Sequence, residues 1–151
     1  MIKHKSFRFS DFEKEKDLCD YIDSNAANFC IDLLEEEYVS HKREWGLNHP
    51  IAPQYGTGRR SVDFMFTTDR SECVLVECKN PTHTYSELRD SVSQMMAYRV
   101  MCIDRGMSPD RCVIVTSEYH PIVARMIHEY ALPFEVFVLG RGQILKMKEV
   151  A

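Results

Sequence analysis

The sequence has no excess of basic charge. Its 19 Lys and Arg stand against 23 Asp and Glu, a formal net charge of -4. Bulk attraction to a polyanion is thereby excluded, and any nucleic-acid site has to be a local one. Long apolar runs are also missing, since none approaches the roughly 18 residues needed to span a bilayer. The opening MIKHKSFRFS has basic residues but no apolar h-region behind them, so a soluble, cytoplasmic protein without a membrane partner is expected. The six cysteines, Cys19, Cys30, Cys73, Cys78, Cys102 and Cys112, include no C-x-x-C pair and lie mostly in apolar runs. Free core thiols are expected, not zinc ligands or disulfides. Neither G-x-S-x-G nor G-x-x-x-x-G-K-[ST] occurs, which removes the serine-hydrolase and phosphate-loop readings. There is no internal repeat, low-complexity tract or interdomain linker.

What is present suits one domain: 151 residues, 44% of them hydrophobic, are enough for one real core and too few for two. Ser10 reads as the N-cap of a helix over 11–23, with Asp11 and Glu13 in its first turn. A second short helix is expected over 26–34. Glu35, Glu36 and Glu37 read as a solvated charge run, and Tyr38-Val39 as the start of an edge strand. From His41 to Arg60 the glycines and prolines predict a loop or lid. Its Trp45 and Tyr55, interleaved with Lys42, Arg43, Arg59 and Arg60, suit contact with bases and phosphates, although a plain insertion explains them equally well.

The centre of the chain is SVDFMFTTDRSECVLVECKN, Ser61 to Asn80. β-Branched and aromatic residues predict strands over 61–67 and 73–79 joined by a polar turn. Alternation puts Glu77 and Lys79 on one face, and Asp63 opposite the apolar set Val62, Phe64 and Phe66. Two carboxylates and an ammonium so converge at the end of a hydrophobic hairpin, where charge is costly unless a metal ion or an anion offsets it. A helix is predicted over 85–105, stopped by Gly106 and Pro109. Leu88, Val92, Met96, Val100 and Ile103 should pack on the sheet, with Gln94 and Tyr98 forming an i,i+4 pair on another stripe. A buried strand over 111–117, a helix capped by Ser117 with Pro121 in its first turn, and a hairpin of 134–139 with 143–148 complete the order. The fold class is α/β: a central mixed sheet with helices on both faces, the 85–105 helix crossing between parallel strands.

Asp63, thirteen intervening residues and then Glu77-Cys78-Lys79 on a second strand resemble the PD-(D/E)XK nuclease superfamily. Gln94 and Tyr98 resemble the Q-x-x-x-Y motif of its RecB-like and NucS-like branches. Glu15, which falls in the middle of the apolar face of the first helix, sits where those branches carry an acid. By itself Glu15 reads as well as a boundary carboxylate reaching water. The resemblance runs from about Phe12 to Arg105. It departs in having Val62 where Pro is usual, a longer approach to Asp63, a longer span from Lys79 to Gln94, and no room for the separate DNA-binding domain of NucS.

The resemblance implies a restriction-endonuclease-like core and a metal-dependent nuclease acting on nucleic acid, DNA in the first instance. Asp63, Glu77 and the Cys78 carbonyl, with Glu15, would hold Mg²⁺, for which Mn²⁺ should substitute. Lys79 would orient the attacking water, and Gln94 and Tyr98 would position Lys79 or the phosphate. Arg59 and Arg60 are the leading candidates for gripping nucleic acid, followed by Lys42, Arg43, Trp45 and Tyr55. A two-fold homodimer would enlarge so small a binding surface. The alternative is a nuclease-fold module that binds nucleic acid or a protein partner without cutting.

Overall fold

The computed structural model describes residues 7–47, 61–80, 86–141 and 143–146. Six strands form the main sheet: β2 (Tyr38–Gly46), β3 (Ser61–Thr68), β4 (Val74–Lys79), β5 (Arg111–Thr116), β7 (Phe134–Gly140) and β8 (Gln143–Lys146), in the order β2-β3-β4-β5-β7-β8. β4, β5 and β7 run parallel and the outer pairs are antiparallel. A separate two-stranded ribbon pairs β1 (Phe7–Arg8) with β6 (Glu118–Tyr119). The helices are α1 (Glu15–Ser24), α2 (Ala26–Phe29), continued by a π-helical turn over Cys30–Leu34, α3 (Ser86–Asp104) and α4 (Pro121–Glu129).

Both faces of the sheet are covered, which is why the central strands VLVECK and RCVIVT are almost continuously apolar. On one face Leu18, Ile22, Phe29 and Leu33 pack against Phe64, Phe66, Val74, Val76 and Cys78. On the other, Leu88, Val92, Met95 and Val123 pack against Leu75, Ile114, Val136 and Val138. α3 makes the expected crossover from β4 to the parallel β5. All six cysteines are free and buried, and no helix among the described residues is long and apolar enough to cross a membrane.

Several expectations need correction. The first helix starts at Glu15, with Lys14 at its N-cap position, not at Ser10. The preceding residues are tied elsewhere: the Phe9 N–H donates to Ser117 O (2.8 Å), the Arg141 N–H to Asp11 Oδ2 (2.8 Å), and Asn80 Nδ2 to Phe12 O (3.1 Å). Gly140 permits this approach, since a Cβ there would lie 2.7 Å from Asp11 Oδ2 and 2.9 Å from a Phe9 ring carbon. Residues 41–46, expected in a loop or lid, belong to β2 and pair with β3. Ser117 is not a helix cap; His120 holds that position, and the short β6 intervenes.

Glu36 is not solvated. It is buried, accepts from Thr68 Oγ1 (2.6 Å) and Ser71 Oγ (2.8 Å), and pairs with Arg111, which also clamps Glu135 through two 2.7 Å bonds. Burial alone would raise the Glu36 pKa, but these hydroxyls and the guanidinium outweigh it and hold the carboxyl below its ordinary value. In α3, Met96, Val100 and Ile103 are 48%, 53% and 43% exposed, whereas Leu88, Val92, Met95, Tyr98 and Cys102 are buried. Strict i+4 steps drift by about 40° each around a helix of 3.6 residues per turn, so the stripe that tracks the sheet has to mix steps of three and four.

Candidate functional site

β3 and β4 stop pairing as regular strands just before the charged residues. Their ladder ends at Phe64 opposite Val76. Beyond it the strands are joined by side chains: the Asp63 N–H donates to Glu77 Oε1 (3.2 Å), and the Cys78 N–H donates to Asp63 Oδ2 (2.8 Å). Each carboxylate therefore satisfies a backbone donor freed by the divergence, and the two carboxyls also hydrogen-bond to each other.

Strand parity also fails here. Val62 joins the core beneath α3 while Phe64 and Phe66 join the core beneath α1. The Asp63 carboxylate lies beside the Cys19 and Cys78 thiols, on the α1 side, and not on a face opposite the phenylalanines. The alternation is interrupted between Phe64 and Val62, where β3 loses β4 but still pairs with β2, and opposite this interruption Glu44 of β2 has a positive φ of 51°.

Glu77 is 4% exposed. Burial, followed by the adjoining Asp63 carboxyl, pushes its pKa up to about 9, with Lys79 opposing the rise. Two carboxyls held this close in a buried place do not both ionise without added positive charge, so the Glu77 carboxyl is protonated at neutral pH.

Glu15 links the pieces. As the first residue of α1 it lines a cleft of about 380 Å³ with Glu13, Lys14, Lys79, Asn80 and Glu87. It also lines an adjoining cleft of about 230 Å³ with Lys16, Cys19, Arg43, Glu44 and Asp63. The residue is accessible to solvent, yet its carboxyl is turned in among protein atoms. Desolvation raises its pKa most, Lys79 lowers it, Asp63 and Glu87 raise it, and the Asn80 N–H donates to it. Four expected residues, Glu15, Asp63, Glu77 and Lys79, are thus brought together.

Other expected residues fall elsewhere. Gln94 and Tyr98 line neither cleft; they border a groove on the outer side of α3 with Met96, Ala97, Val100 and Met101. The Tyr98 ring belongs to the core, and Gln94 Oε1 is shielded from solvent without a hydrogen-bond partner among the described residues. Arg43 lines the smaller cleft, but its guanidinium is bound to Asp20 (2.8 Å) and Asp23 (3.5 Å) and lies over the Phe64 ring. It is not the free phosphate ligand expected. Trp45 is half-buried with the Arg105 guanidinium 5.7 Å from its ring centre, so one stacking face is already occupied. Lys42 is exposed on β2. Tyr55, Arg59 and Arg60 lie outside the described residues.

Two residues were not singled out from the sequence. Asn80, directly after the E-x-K triplet, is buried, donates to Phe12 O and accepts a short hydrogen bond from Ser117 Oγ. It fastens the segment before α1 to the end of β4. Cys19 is one helical turn beyond Glu15 and shares its face, a signal the i,i+4 spacing carried. Comparison with known proteins found no matching family model, no matching curated protein and no matching solved structure.

Proposed function

We propose that the chain is a metal-dependent nuclease of the PD-(D/E)XK type, built on a restriction-endonuclease-like core and hydrolysing phosphodiester bonds of nucleic acid, DNA in the first instance. The observation that carries this reading is the side-chain junction of Asp63 with Glu77 and Cys78 where β3 and β4 separate. Lys79 and Glu15 border the cleft beside it. The donor set fits a hard divalent cation: two carboxyls, each positioned by a backbone N–H, face each other and share a hydrogen bond that a cation would replace. The protonated Glu77 marks a place where a cation would replace a proton.

Asp63 and Glu77 would hold Mg²⁺ or Mn²⁺, with the Cys78 carbonyl and Glu15 as further oxygen donors. When bound, the ion supplies a water of lowered pKa and neutralises charge at the phosphate. The remaining work falls to the chain's own residues. Lys79, extending from the end of β4 into the cleft, orients the water and stabilises negative charge developing on the phosphate oxygens. Glu15 holds the Lys79 ammonium by charge and is itself fixed by the Asn80 N–H. Gln94 and Tyr98 receive no role, because they face another groove.

Two measurements test the reading. Calorimetry should show Mn²⁺ binding to the wild type and none to Asp63→Ala. A panel of labelled single-stranded, duplex, forked and four-way substrates should then be cut with Mg²⁺ or Mn²⁺. Absence of Mn²⁺ binding would reduce the junction to a cap for two diverging strands, whereas binding without cleavage of any substrate would leave a non-cutting module.

A further inference from the structure

The carboxylate of Asp63 has two soft neighbours. Cys19 of α1 and Cys78 of β4 place their sulfur atoms with an Asp63 oxygen so that all three lie within 4.8 Å of one another. These ligands come from three different elements, α1, β3 and β4, so the grouping is a product of tertiary packing. We infer that Cys19, Cys78 and Asp63 form a site for a thiophilic divalent cation, of the zinc or cadmium class, distinct in its ligands from the Mg²⁺ site but sharing Asp63 with it.

The geometry is close to what such a cation needs. Ligand atoms about 2.3 Å from a tetrahedral centre are about 3.8 Å apart, so closure around an ion requires movements of no more than about 1 Å. Two sulfurs with one carboxylate select soft or borderline metals over Mg²⁺, which prefers oxygen alone. On ligation each thiol gives its proton to solvent. A path inward exists, because Cys19 and Asp63 both line the smaller cleft, with Glu15 at its edge. The fourth position of a tetrahedral centre would be filled by water. Elsewhere among the described residues no other group of three candidate ligands comes together in this way. Occupancy by a soft cation would take Asp63 away from Mg²⁺, so the binding part of the inference stands alone and only the inhibition it implies rests on the nuclease reading.

Cadmium is the probe, because sulfur ligation gives an ultraviolet charge-transfer band. Titration of the full chain should show one equivalent bound with that band. Cys19→Ser should lower the band by about half and weaken affinity at least tenfold, and Asp63→Asn should weaken affinity while keeping the band. Cys73→Ser should change neither. Cys19→Ala is the second variant in case the serine disturbs packing, with circular dichroism before cadmium addition confirming that each variant is folded. A band unchanged in both folded Cys19 variants, a band that disappears in Cys73→Ser, or no band in the wild type would each overturn the inference. One equivalent of cadmium should also suppress the heat of Mn²⁺ binding in wild type but not in Cys19→Ser. If cadmium binds as described and Mn²⁺ never does, the nuclease reading fails and this site remains.

Discussion

Replacing Glu77 by Gln tests the central electrostatic claim without any substrate. In the metal-free protein Glu77 keeps its proton up to about pH 9, whereas the unfolded chain releases it near the ordinary value of 4.5. A carboxyl whose pKa is raised by folding contributes its full stability below the unfolded value and loses it as pH climbs through the folded one. Between those limits the folded state binds one proton more than the unfolded, so stability falls by about 1.4 kcal/mol per pH unit. From pH 6 to pH 8, wild type should therefore lose about 2.7 kcal/mol that Glu77→Gln, which cannot ionise, does not lose. Any pH-independent cost of the glutamine cancels in the comparison. With a urea m-value of about 2 kcal/mol/M, the gap between the two midpoints should change by about 1.3 M over that range. The assay is a urea melt in chelator at pH 6, 7 and 8. Adding Mn²⁺ at about a hundredfold over its Kd should restore about 2.7 kcal/mol to wild type, and nothing to the variant. Wild-type and variant profiles running parallel through this window would refute the protonated, buried carboxyl and with it the argument for a cation.

Lys79→Ala should abolish cleavage while leaving Mn²⁺ affinity unchanged or higher, as read by calorimetry beside a gel assay; cleavage at the wild-type rate would end its assigned role. Tyr98→Phe retains the buried ring and should leave the cleavage rate unchanged, whereas a large fall in kcat without loss of folding would return Tyr98 to the site. Arg111→Ala strands the buried Glu36 carboxylate, while Glu135 keeps Lys146 at 3.2 Å, and breaking such a buried pair costs about 3 to 5 kcal/mol, measurable as a lowered urea midpoint. A loss of much less than this would show that water replaces the guanidinium.

The sequence by itself determined the order and type of most elements, because their signals are local. Period-2 alternation in FMF and VLV, the Gly106 and Pro109 stop after α3, and Pro121 at the head of α4 each act within a few residues. Asp63, Glu77 and Lys79 were legible for the same reason: charges at the end of an apolar hairpin stand out wherever the hairpin packs. Four features depended on tertiary structure. The start of α1 was set by Asn80, Ser117 and Arg141, which are distant in sequence from residues 9–14. Glu36 became a buried anion only because Thr68, Ser71 and Arg111 meet it. α3 has apolar residues on two stripes, and which of them is covered was decided by the sheet it crosses, leaving Met96 and Val100 outside and Tyr98 inside. Asp63 ended beside Cys19 and Cys78 because side-chain bonds take over from the β3–β4 ladder after Phe64 and interrupt the alternation of β3 there, while its pairing with β2 continues.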